Sequence, residues 1–173
     1  MANLLVVAEQ RNGELSPTSL ECVSALKGVK QDGDQLSVVV VAEDPGALVS
    51  ALSVPGVDEI ITVKASNDFQ PDLIEGVVCE LAKERSPRII AAAHTVDAWS
   101  YAPAIAVKLN SGLATDVLEL KSEDGELVAV RAGYSEKVLV ELDFPGKETV
   151  VVTVRTNVFK PEEGSSSPTV TEL

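Results

Sequence analysis

His94 is the only histidine in the chain. It opens His94-Thr95-Val96-Asp97, the most polar segment to follow an apolar run. An imidazole at a strand end can pass a proton near neutral pH or touch a ligand. It can equally order a loop through hydrogen bonds. No nucleophile or metal set accompanies it, so the local role is favoured, and Asp97 is placed to cap a following helix. The other candidate loop, Glu9-Gln10-Arg11-Asn12-Gly13-Glu14, has one glycine. A pyrophosphate turn needs the GxGxxG spacing so that backbone can approach the phosphates, and neither that pattern nor GxxxxGK[ST] occurs. No GxSxG elbow supplies a nucleophile. Cys22 and Cys79 are far apart and outside any CxxC pair, which reads as two buried thiols rather than a disulfide or zinc site. No catalytic, metal or cofactor-binding residue is therefore expected in this chain.

Several polar and aromatic residues stand among apolar stretches. Asp116 could face solvent or cap a turn, and Arg131 could pair with a nearby carboxylate. Alternatively these two, with Tyr134 and Lys137, line an interface with another chain. Trp99 and Tyr101 flank the His94 segment. Aromatics make up only 3% of the chain and are favoured as interface anchors, although core packing accounts for them equally well. With Phe144, the candidate interface set is Trp99, Tyr101, Asp116, Arg131, Tyr134 and Phe144.

The elements that must position these residues follow from periodicity. Residues 4–8, 36–42, 59–63 and 89–93 are short apolar runs of the kind buried on both faces of a parallel sheet. Ser16-Pro17 reads as an N-cap with proline at the first helical position, opening a helix that ends near Lys30. Pro45 opens a short helix stopped by Pro55-Gly56. Pro71 opens a longer one whose Leu73, Ile74, Val77, Val78, Leu81 and Ala82 form one stripe, ended by Ser86-Pro87. A fourth helix is expected over 101–109, with Pro103 in its first turn. Alternating strands and helices imply right-handed crossovers and a Rossmann-like, mainly parallel α/β sheet with helices on both faces. The pattern then changes. Strands over 117–121 and 127–131 flank Asp124-Gly125, a hairpin signal. Strands over 138–142 and 150–154 flank Phe144-Pro145-Gly146-Lys147, where Pro-Gly fits a type II turn. The second half is thus expected to add an antiparallel portion. Residues 160–173 are rich in Ser, Pro, Gly and Glu and read as a linker, leaving 1–159 as the folded domain.

The formal net charge of −13 at pH 7 argues against a nucleic-acid partner, which requires clustered Lys and Arg. No apolar run reaches the length of a membrane span, and no basic leader precedes the first strand, so no membrane insertion and a cytoplasmic location are expected.

The ordered set of segments resembles the N-terminal domain of the electron transfer flavoprotein alpha subunit. The resemblance lies in 4–9 followed by Gly13-Glu14-Leu15, in Gly56-Val57-Asp58-Glu59, in His94-Thr95-Val96-Asp97 and in 112–117. It is most specific from Arg131-Ala132-Gly133-Tyr134 through 143–147 to Val154-Arg155 and 158–161. It covers essentially all of 3–161 and is most similar to the alpha subunits of methylotrophic bacteria. Many members carry a Gly-Arg/Lys-Asp/Asn segment where this chain reads Ala98-Trp99-Ser100-Tyr101, which bears on the subfamily. The resemblance implies a heterodimeric electron carrier, not an enzyme. In it this domain docks a beta subunit and supports a mobile C-terminal FAD domain, toward which 160–173 would lead. FAD would belong to the complete heterodimer, and AMP, where present, to the beta subunit. The donor would be a flavin dehydrogenase such as trimethylamine or acyl-CoA dehydrogenase. A stand-alone nucleotide-binding α/β module is the alternative, and a small hydrolase or lyase using His94 and Asp97 comes third.

Overall fold

Val, Leu and Ile dominate five short runs that can satisfy their backbone groups only in a ladder and their side chains only between two covering layers. A computed structural model describes residues 3–123 and 125–173. Its strands are β1 (Asn3–Ala8), β2 (Gln10–Arg11), β3 (Glu14–Leu15), β4 (Gln35–Ala42), β5 (Glu59–Lys64), β6 (Pro87–Ala93), β7 (Gly112–Glu123), β8 (Glu126–Gly133), β9 (Val138–Leu142), β10 (Val150–Val154) and β11 (Thr169–Glu172). The helices are α1 (Thr18–Lys27), α2 (Val49–Leu52, preceded by a 3-10 turn over Pro45–Leu48), α3 (Pro71–Arg85) and α4 (Val96–Lys108).

Nine strands form one sheet in the order β11-β5-β4-β1-β6-β10-β7-β8-β9. From β11 to β7 all neighbours run parallel, and β7-β8-β9 are antiparallel. The expected α/β architecture is observed. Alternation along β1 splits the core: Leu4, Val6 and Ala8 face α1 and α2, while Leu5 and Val7 face α3 and α4. Cys22 lies in the first layer and Cys79 in the second, both buried and free. The sheet stands between them, so they cannot pair.

Several boundaries differ from the sequence expectation, and β7 begins at Gly112 rather than Val117. Helix α4 begins at Val96 rather than near Tyr101. Thr95, not Asp97, is its cap, and its hydroxyl accepts the Ala98 N–H at 3.1 Å. Pro103 consequently sits inside the helix, where it leaves the Trp99 carbonyl without an intrahelical donor. Helix α1 starts at Thr18 and stops at Lys27, short of Lys30, and the Ser16 hydroxyl shares a hydrogen bond with the Thr18 hydroxyl (2.8 Å) instead of capping the helix.

The larger difference is β10. The Pro145-Gly146 turn is present, with Gly146 at φ 72° and the Lys147 N–H donating to the Phe144 carbonyl at 3.1 Å. The hairpin it suggested is not. Strand β10 inserts parallel between β6 and β7. Its five residues Val-Val-Val-Thr-Val are all buried, and only an interior position covers both faces of such a strand. The tail differs as well. Residues 161–168 carry no helix or strand, but β11 pairs parallel with β5. Between β7 and β8 the chain reverses, and Glu123 pairs with Glu126 at the end of the ladder. Gly125 in that turn has φ 87°; Asp124 of the expected Asp-Gly turn lies outside the described residues.

Candidate functional site: the C-terminal crest of the sheet

Strand order reverses between β1 and β6, the place where open α/β sheets take ligands. Here that crevice holds the chain's own carboxylate. Glu9, after β1, accepts the Thr95 hydroxyl at 2.6 Å, and its backbone N–H donates to the Ser19 hydroxyl at 2.9 Å. Burial pushes its carboxyl above the usual range, partly opposed by the Thr95 bond. Thr95 already caps α4. An anion placed at this helix terminus would meet the Glu9 carboxyl.

A second group of polar residues crowns β6, β10, β7 and β8. The His94 Nδ1 lies 2.8 Å from the Thr153 hydroxyl, and the Asp116 N–H also reaches that hydroxyl at 3.2 Å. The Trp99 indole N–H faces the His94 ring, its nitrogen 3.2 Å from Nε2 and 3.4 Å from Nδ1. An indole can only donate, so the imidazole is its acceptor. Burial lowers the His94 pKa, with Asp116 opposing, so the imidazole is neutral near pH 7. Asp116 occupies a bulge in β7 against β10, with φ 60°. Arg155 grips it with both forks, at 2.8 and 2.6 Å, and reaches Glu136 at 2.7 Å. Those bonds hold the Asp116 carboxyl low. Arg131 donates to the Thr115 hydroxyl at 3.0 Å and makes no ion pair among the described residues. His94, Trp99, Pro103, Thr115, Asp116 and Arg131 border an open groove of about 350 Å³. The group is a neutral imidazole, a neutralised carboxylate and one cation facing the groove. It can bind and orient, and it contains no activated nucleophile.

A family model described as the electron transfer flavoprotein domain matches residues 4–173. The chain belongs to the electron transfer flavoprotein family. It is 46% identical, over all of its length, to the electron transfer flavoprotein subunit alpha of Methylophilus methylotrophus, and covers 54% of that protein. It is 32% identical over 90% of its length to Protein FixB of Clostridium saccharobutylicum, covering 48% of it. Identity falls to 24% over 95% of its length with the subunit alpha of Bacillus subtilis, of which it covers 50%. The chain spans about half the length of the curated relatives it matches, and it corresponds to the N-terminal domain of an alpha subunit.

On this electron transfer flavoprotein domain the six candidate interface residues are unequal. Trp99 is 55% exposed, and Tyr134 lies in the exposed turn after β8. Asp116 and Arg131 are half-buried around the groove. Tyr101 is corrected: at 1% exposure it is core, its ring 6.5 Å from Phe69, because α4 turns its Ala98-Tyr101-Ala102-Ile105 face to the sheet. Phe144 is half-buried and packs over Gly112, where a Cβ would collide with its ring. Asp97 meets Arg11 at 3.5 Å, and Lys137 is exposed in the turn before β9. The expectation that Arg131 pairs with a carboxylate is also corrected, since Arg155 has taken Asp116. Thr153 and Arg155 went unnoticed as site residues. Only the insertion of β10 beside β6 and β7 brings them there. The one sequence hint was a threonine inside an otherwise all-valine strand.

Proposed function

We propose that this chain is the part of an electron transfer flavoprotein alpha subunit that docks a beta subunit and supports a separate, mobile FAD domain to which 160–173 lead. The complete heterodimer carries electrons on FAD from a flavin dehydrogenase, of the trimethylamine or acyl-CoA type, to a downstream acceptor, in the cytoplasm of a bacterium. AMP, where present, lies in the beta subunit. The observation that carries this reading is the full-length similarity to a subunit alpha. Docking through β9 is supported by its place as a sheet edge paired on one side only, with Val138 and Leu139 exposed. An apolar open edge calls for pairing or cover. Glu9 at the switch point supports holding FAD elsewhere, so no electron-transfer step is assigned to these residues. Among the described residues no helix is long and apolar enough to cross a membrane.

Co-expression with the beta subunit, followed by size-exclusion chromatography, tests the proposal. One coeluting peak, burying roughly 2,000 Å² or more as permanent interfaces do, is expected. Separate elution at micromolar concentration overturns it.

A further inference from the structure

Tyr101 is buried on the face of α4 that meets the sheet, where phenylalanine would pack as well. A tyrosine in a core normally finds a partner for its hydroxyl. Here the hydroxyl makes no hydrogen bond among the described residues. It lies near enough to the Glu9 carboxyl for each to influence the other's proton, without a direct bond between them. A buried hydroxyl is rarely left this way, because its lost hydration is not made good. Both groups line a cavity of about 40 Å³ at the carboxyl ends of β1 and β4, with Val7, Val39, Leu73 and Phe69 as apolar wall. Gln10, Ser66 and Asp97, also in the wall, already have partners in Asn67 and Gly13, in Asp68 and in Arg11. Thr95 uses one of the roughly four acceptor sites of the Glu9 carboxylate. The size of the space decides what fits. One water takes roughly 30 Å³ in the liquid, whereas pockets for drug-sized molecules begin at roughly 300 Å³. Cavities that stay dry are apolar throughout, and this one presents a donor and an acceptor.

We infer that this cavity is a binding site for one internal water, which accepts a hydrogen bond from the Tyr101 hydroxyl and donates one to the Glu9 carboxyl. The bridge fastens the middle of α4 to the end of β1. Through the Glu9–Thr95 bond it also reaches the residue that caps the same helix. The water thus accounts for a tyrosine at a position where the sheet asks only for an apolar ring.

Oxygen-17 magnetic relaxation dispersion tests this, because it counts the waters that stay bound longer than the protein takes to tumble. The wild-type chain should show at least one, and Tyr101→Phe one fewer. The unfolding equilibrium constant of Tyr101→Phe, from urea titration, should rise about fivefold. Val39→Ile keeps the hydroxyl but adds a methyl group to the cavity wall, and it should lose the same water. No long-lived water in the wild-type chain overturns the inference without any variant. An unchanged count in Tyr101→Phe also overturns it, whether stability falls (a direct Tyr101–Glu9 bond) or does not (an unpartnered hydroxyl). Where Tyr101→Phe does not fold, Val39→Ile decides by the same count.

Discussion

At one edge of the sheet lies β11, four residues of Thr-Val-Thr-Glu; at the other lies β9, Val-Leu-Val-Glu-Leu. The first is short and polar, and a threonine hydroxyl ties it inward: Thr171 donates to Glu59 at 2.7 Å. Glu59 also takes Ser37 at 2.9 Å and pairs with Arg85. The second edge shows apolar side chains to water and has no such tie; its Glu141 reaches Lys121 at 2.7 Å along the exposed side of the arm. A short polar edge is finished as surface, whereas an apolar one awaits cover. The comparison teaches that the two edges are finished differently: one is polar and tied inward, the other presents apolar side chains to water.

The largest effect should come from the finished edge. Arg85→Ala leaves the Glu59 carboxylate with only two hydroxyls and should destabilise the chain by about 3 kcal/mol in urea titrations. A loss below about 0.5 kcal/mol would show that the edge does not depend on this pair. The pH dependence sharpens the point. Burial alone would raise the Glu59 carboxyl, but bonds from Arg85, Thr171 and Ser37 outweigh it and hold it low. Its contribution to stability is therefore present above the ordinary carboxylate pKa of 4.5 and is lost as pH falls through the depressed folded value. Arg85→Ala should flatten that acid limb.

His94 should matter less. Its folded pKa lies below the ordinary 6.5. The unfolded chain thus binds the extra proton first, and stability falls as pH drops below about 6.5. Protonation also makes both ring nitrogens donors, so the Trp99 indole N–H loses its acceptor. Emission from Trp99, the single tryptophan, should change over the same acid range, and His94→Ala should abolish that change at a cost of about 1 kcal/mol. A pH-independent emission spectrum in the wild-type chain would contradict the assigned bond.

The smallest stability effect belongs to the open edge. Leu139→Lys, at a position 69% exposed, should move the unbound chain's stability by no more than about 0.5 kcal/mol. In the presence of the beta subunit the same change should suppress coelution. If it instead unfolds the chain, β9 is part of the domain's own core and the contrast between the edges collapses.

Composition and periodicity determined the parallel α/β class here, because a strand such as residues 36–42, apolar throughout most of its length, can survive only between two layers. They also determined the stop at Ser86, whose φ of 46° ends α3 before Pro87, and the turn at Gly146. What periodicity cannot carry is the identity of neighbours. The burial of residues 150–154 was legible, but their place between β6 and β7 depends on which gap in the sheet is open, a property of the assembled layers. That placement alone joins Arg155 to Asp116, 39 residues away in sequence, and leaves Arg131 facing the groove. Tyr101 and Trp99 have similar composition around them and opposite fates, since a two-residue step along α4 turns a side chain by about 200°. The four strand residues within an otherwise linker-like tail were equally hidden. Their ladder bonds are made by backbone N–H and C=O groups that nearly every residue possesses, and only the exposed edge of β5 selects them.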